Sequence, residues 1–240
     1  MNFSAQSAGD HGRRRKTLRR AGQAAGLAIL IAASAGCQTQ LSAVGLRAAE
    51  PDYRPANVFA YPPSLSSSLQ RVAVLPLAAN ANAGDLPEGC DALTPVLWEQ
   101  LVKSKKFEVV TVAADHLRSR TGRAAWTGTE SLPADFLPYL RREYGCDAVL
   151  FSELTAYHGY APMVIGWRLK LVDARTGQIL WAADDLFDAG RPAVANAACH
   201  FEKRMDASAT TAESSWIVLN SPRRFGRYSA AALLDTLPER

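Results

Sequence analysis

Asp184, Asp185 and Asp188 stand within one short stretch, and carboxylates this close can share acid and base work in a hydrolytic site. The same cluster also describes a polar strand end running into a loop. His116, His158 and His200 lie in no nucleophile context. Cys199 and His200 are adjacent, which splays them onto different helix faces and away from a common metal. The chain has no Gly-x-Ser-x-Gly elbow, no His-Glu-x-x-His, no Walker loop and no Gly-x-Gly-x-x-Gly. These residue types therefore imply no cofactor, no metal centre and no catalytic set, and the expectation is a protein that is not an enzyme. An envelope hydrolase with a site of unrecognised pattern is the enzymatic alternative. Cys90, Cys146 and Cys199 are odd in number, so they are three small buried apolar residues or one bridge with a thiol left over.

Cys37 is of a different kind. It closes the apolar run Leu27-Ala-Ile-Leu-Ile-Ala-Ala-Ser-Ala-Gly-Cys37, which follows Arg13, Arg14, Arg15, Lys16, Arg19 and Arg20. A basic segment, a short apolar segment and small residues at a processing site make an export signal. The run is shorter than the ~20 apolar residues that span a membrane. Its Ala35-Gly36-Cys37 ending resembles the lipobox of bacterial lipoproteins, with Ser34 where that pattern prefers Leu. The resemblance implies cleavage before Cys37 and acylation of its thiol and new amino group. A plain secretory signal with an unmodified cysteine is the other reading. Gln38 follows the cysteine, and by resemblance to enterobacterial sorting this sends the protein to the outer membrane, facing the periplasm.

Removing residues 1–36 leaves 21 basic against 22 acidic residues, so the net charge of +4 belongs to the leader. A nucleic-acid surface needs an excess of Lys and Arg on one face, and none is indicated. Residues 37–69, with Pro51, Pro55, Pro62, Pro63 and Ser64-Leu-Ser-Ser-Ser68, read as a lipid anchor and a Pro/Ser-rich tether. Residues 70–240 then hold one domain.

Within that domain Arg71–Leu77 is a buried strand closed by Pro76. A helix capped by Asp91 follows, with Leu93, Leu97, Leu101, Trp98 and Val102 as its core stripe. Phe107–Val112 is the next strand. A helix over 134–144 stops at Gly145, with Pro138 tolerable in its first turn. Strands over Asp147–His158, Val164–Asp173 and Gln178–Asp184 are joined by short turns and form an antiparallel meander. Glu153, on the same face as Phe151 and Thr155, requires a partner on a neighbouring strand or an edge position. A helix over Pro192–Met205 buries Val194, Ala198, Phe201 and Met205. Ser214–Asn220 is strand or helical turn by period, and Ser221-Pro222 opens a last helix with Phe225, Tyr228, Ala232 and Leu237 inward. The expected fold class is α/β: a single sandwich with a mixed sheet of about five strands, a strand-helix-strand unit and then the meander, flanked by helices.

Val72-Ala-Val-Leu-Pro-Leu77, Phe107-Glu-Val-Val110, Gly145-Cys-Asp-Ala-Val-Leu150 and Leu171-Val-Asp-Ala-Arg-Thr-Gly-Gln-Ile-Leu-Trp181 occur in that order. The series resembles the CsgG-like and LpoB-like group of bacterial envelope lipoproteins, whose sandwich is related to the TolB N-terminal fold. The resemblance covers Arg71 to Trp181. It implies a membrane-anchored adaptor or activator that binds another envelope protein, as peptidoglycan-synthase activators do, and supplies no catalytic residues. A subunit of a CsgG-like outer-membrane secretion assembly is the alternative within the group, although no pair of segments here alternates over the ~9–11 residues of a membrane-spanning strand. Self-association is left open. Two surfaces are candidates for the partner. Trp126, beside Arg123, is a large aromatic of the kind that anchors interfaces, or else it folds back over the sheet. Arg223, Arg224 and Arg227 crowd the start of the last helix against its dipole, so they meet carboxylates of this chain or of a partner.

Overall fold

The structure is a computed structural model that describes residues 53–79, 85–205 and 211–240, with the backbone alone over 211–214. The leader and Cys37 lie outside the described residues. In chain order the elements are β1 (Val58–Ala60), β2 (Arg71–Val74), β3 (Ala78–Ala79), α1 (Leu86–Ser104), β4 (Glu108–Thr111), α2 (Ala114–Thr121), α3 (Phe136–Tyr144), β5 (Ala148–His158), β6 (Val164–Asp173), β7 (Ile179–Asp188), α4 (Pro192–Met205), α5 (Thr211–Val218) and α6 (Pro222–Leu234).

The sheet is mixed and runs β1-β7-β6-β5-β2-β4, with β3 added to β5. Its parallel part is β4, β2 and β5, with Val72 opposite both Val109 and Ala148. β5, β6, β7 and β1 are antiparallel. The β6–β7 turn is closed by Asp173, whose Oδ1 accepts from the backbone N–H groups of Arg175 and Thr176 and from the Thr176 hydroxyl. Gly177 ends that turn at φ +74°, a left-handed conformation that glycine adopts without a Cβ clash.

Alternation along the strands sorts side chains onto two faces. One face carries Val72, Val74, Leu150, Ile165, Trp167, Leu169, Leu171 and Trp181, all covered by α1, α4 and α6. The other carries Ala73, Leu75, Val149 and Phe151, packed against Leu117 of α2 and against Phe136 and Leu140 of α3. The indole N–H of Trp167 donates to Ser229 Oγ at 2.8 Å and that of Trp181 to Thr236 Oγ1 at 3.1 Å, so each buried ring has its polar atom satisfied. α6 starts as expected: Ser221 accepts from the Arg224 N–H and Pro222 occupies the first turn.

The α/β class and the mixed sheet flanked by helices are as expected, with seven strands where about five were expected, because β1 and β3 are too short to show a period. Other expectations are corrected. Residues 53–69, taken as tether, belong to the domain: β1 pairs with β7 through Val58 and Ala183, and Leu65 and Leu69 are buried. α1 begins at Leu86, ahead of Asp91, with Pro87 in its first turn. Its buried stripe is Leu93, Val96, Leu97 and Leu101, packed against α6 and β5, while Trp98 and Val102 lie on the side that neither covers and face solvent. Met205, at the end of α4, is exposed. Ser214–Asn220 resolves as helix, within α5 and the turn after it.

Candidate functional site

Most of the residues singled out by type are engaged within the chain. Trp126 is only 7% exposed. Its ring packs on Phe136 at 5.2 Å between centroids, its N–H donates to Thr121 Oγ1 at 3.0 Å, and the Arg123 guanidinium lies 4.6 Å from its ring centroid. Arg123 is in turn bonded to Glu130 at 2.8 Å. Of its two readings Trp126 therefore takes the second, folded back as part of the core beneath the 122–135 loop. Arg224 pairs with the buried Glu202 of α4. Lys103 first, and then Arg227 and Arg223, hold the Glu99 carboxyl of α1 below the usual carboxylate range. Arg224 thus meets a carboxylate of this chain, which offsets its unfavourable position on the helix dipole.

The aspartate cluster is divided by the pleat. Asp184 bonds Arg168 at 2.7 Å, Asp185 accepts from the Tyr53 hydroxyl, and Asp188 accepts from the Gly190 N–H at 2.7 Å. Burial first, and then Asp185, push the Tyr53 hydroxyl up to about 12, so it remains a donor. His116 is held between two phenols, with Tyr144 at Nδ1 and Tyr139 at Nε2. Burial pushes all three thiols up, and Cys90 reaches about 11 with Asp91 as a second cause. Cys90, Cys146 and Cys199 are free. Among the described residues no group of three or more His, Cys, Asp or Glu is placed to hold a metal, and no helix is long and apolar enough to cross a membrane.

Two uncovered apolar surfaces emerge that composition did not mark. The first is a strip of sheet. Register puts Phe59 beside Ala182, Leu186 beside Gly166 and Ile179 beside Val172, all on the face opposite Trp167 and Trp181. The 122–135 loop reaches this face only as far as β6, where Lys170 donates to the Gly128 carbonyl. Beyond it Phe59 is 52% and Leu186 47% exposed. At the centre of the strip the Arg168 guanidinium donates to Asp184 and, at 3.1 Å, to Glu153. This supplies the partner on a neighbouring strand that Glu153 required.

The second surface is a cleft of about 400 Å³ at the carboxyl ends of β2 and β4. The connection leaving β2 leads to α1 on one face of the sheet, and that leaving β4 leads to α2 on the other. Open α/β sheets bind ligands where successive connections part in this way. The walls include Leu75, Pro76 and Leu77 after β2, Pro95, Leu97 and Trp98 of α1, and Val112 after β4. Trp98 stands at the mouth, 42% exposed. The signal for this site in the sequence was Trp98 itself, which shared a turn with true core residues.

No protein-family model matches the chain. No curated protein matches it either. Among solved structures it is similar to the PelC dodecamer from Paraburkholderia phytofirmans, at 15% identity over 76% of this chain and 96% of that one, with a TM-score of 0.42. It is also similar to lipoprotein GNA1162 from Neisseria meningitidis, at 20% identity over 49% of this chain and 79% of that one, with a TM-score of 0.35. A third similar structure is the LpoB C-terminal domain from Escherichia coli, at 19% identity over 49% of this chain and 82% of that one, with a TM-score of 0.32. These are likenesses of partial arrangement and assign no residue a role.

Proposed function

We propose that this chain is an envelope lipoprotein, held by a lipid on Cys37 at the periplasmic face of the outer membrane, that acts as a non-catalytic adaptor or activator of another envelope protein. The observation that carries the reading is the uncovered strip of β1, β7 and β6. Phe59, Leu186 and Ile179 stand exposed around the Arg168–Asp184 pair, and apolar side chains left uncovered on one sheet face mark a surface that a protein partner can cover. The export leader ending in Ala35-Gly36-Cys37 supports the placement. The partner is a protein with an apolar patch of its own, and the chemistry of peptidoglycan-synthase activators is the nearest analogy.

The test places a photo-crosslinking amino acid at Phe59 and, separately, at Leu186 of the full chain in cells. The expected result is capture of one and the same envelope protein from both positions, reduced at least tenfold by Ile179→Arg. Capture of nothing from either position, or of further copies of this chain alone, overturns the adaptor reading.

A further inference from the structure

The cleft at β2 and β4 has an apolar floor and a mouth edged with hydrogen-bond donors. Val74, Leu75, Leu97 and Val112 are buried along the floor, while Thr94, Pro95, Trp98 and Thr111 stand exposed around the mouth. Polar groups on the floor are committed within the chain. The Ser152 hydroxyl donates to the Leu75 carbonyl at 3.3 Å, and the Leu75 N–H donates to the Leu150 carbonyl and the Val112 N–H to the Val74 carbonyl, each at 3.0 Å. At the mouth the Thr94 hydroxyl donates to the Cys90 carbonyl at 2.7 Å, and Pro95 has no N–H to give. Two donors are left there. The Trp98 indole N–H and the Thr111 hydroxyl line the cleft and have no partner among the described residues.

This division of polar atoms selects the ligand. No charged side chain lines the cleft among the described residues, so an ion entering it would lose water and gain no counter-charge. A molecule with several polar groups would leave most of them unmatched against the floor. A hydrocarbon body loses nothing there, and a single acceptor at its end can meet the donors at the mouth. At about 30 Å³ per water-sized group, a cleft of about 400 Å³ holds roughly a dozen non-hydrogen atoms. We propose that the cleft binds one small uncharged amphiphile, an aliphatic body seated on the floor and ending in a ketone or ester carbonyl that accepts from Trp98 and Thr111. Binding sites of this kind are concave and mostly apolar, with few placed polar groups. The site is independent of the adaptor reading, since it lies where α1 and α2 part and not on the strip of β1, β7 and β6.

The experiment titrates the full chain by calorimetry with 2-octanone and, in parallel, with octanoate at pH 8, two chains of equal length that differ in the charge of the head. The ketone is expected to bind saturably at one site per chain, and ionised octanoate at least tenfold more weakly. Thr94→Phe, which narrows the mouth from an exposed helix position, is expected to weaken the ketone at least tenfold at unchanged Tm. Thr111→Val and Trp98→Phe each remove one donor and are expected to weaken it at least threefold. Thr111→Ser, which keeps the hydroxyl, is expected to bind as the native chain does, so that the loss in Thr111→Val reports the hydrogen bond and not the fold. Phe59→Ser, on the strip, is expected to leave ketone binding unchanged. Absence of saturable ketone binding, or binding indifferent to Thr94→Phe, refutes the site. Equal binding of ketone and octanoate refutes the uncharged class of ligand, and ketone binding indifferent to both Thr111→Val and Trp98→Phe refutes the placing of the head.

Discussion

Truncating Trp126 to alanine separates a core role for the indole from an interface role. The ring is buried against Phe136, which is itself in contact with Phe151 of the sheet at 6.2 Å between centroids. Its loss removes apolar contact, the bond to Thr121 and the ring under Arg123 at once. Large aromatic-to-alanine changes in cores cost about 3–5 kcal/mol, and the cation pair, half exposed at Arg123, adds only a fraction of that. For a domain of this size each kcal/mol moves Tm by about 2–4 °C, so the shift is about 6–20 °C. The assay is thermal unfolding of the full chain followed by circular dichroism. Trp126→Phe, which keeps the ring contact and loses the N–H bond, should cost only about 1 kcal/mol. If Trp126→Ala lowers Tm by less than about 2 °C while partner capture is lost, the indole is an interface anchor and its placement in the core is wrong.

Gly89→Ala tests how closely α1 approaches β5. An added Cβ there would lie 2.5 Å from Tyr157 Cγ and 2.7 Å from Leu154 Cδ2, so overpacking of about 1–3 kcal/mol should exceed the gain in helix propensity of about 1 kcal/mol; a rise in urea stability would refute it. Asp173 tests the β6–β7 turn. Burial alone would raise its carboxyl, but the Thr176 and Arg175 bonds outweigh burial and hold it below its ordinary value. A depressed folded pKa contributes stability above the unfolded value near ~3.9 that disappears as pH falls through the lower folded value. The stability gap between the native chain and Asp173→Asn should therefore shrink from pH 6 to pH 2 in urea titrations, and a constant gap would show that the carboxylate charge is not what the turn uses.

Local pattern determined a large part of this molecule. The strands of the meander were legible because Ile165, Trp167, Leu169 and Leu171 alternate with Arg168 and Lys170, and burial follows that alternation in the folded chain. α4 and the start of α6 were equally plain, since a helix stripe and a Ser-Pro cap are written within a few residues. What tertiary structure decided concerns residues whose partners are distant. Val58 becomes strand because it meets Ala183, and Ala78 because it meets Glu153; neither segment has a period of its own. Trp98 is exposed although its stripe placed it in the core, and Trp126 takes the buried one of its two readings, because a helix aromatic takes its environment from how much of its helix the neighbouring elements cover, and a loop aromatic from the α2 and α3 packing it reaches. The apolar strip and the cleft exist only where covering elements stop, at β6 and at the parting of α1 from α2. Sequence period fixes which side of an element is apolar, but only the assembled layers determine which apolar sides are left without a cover.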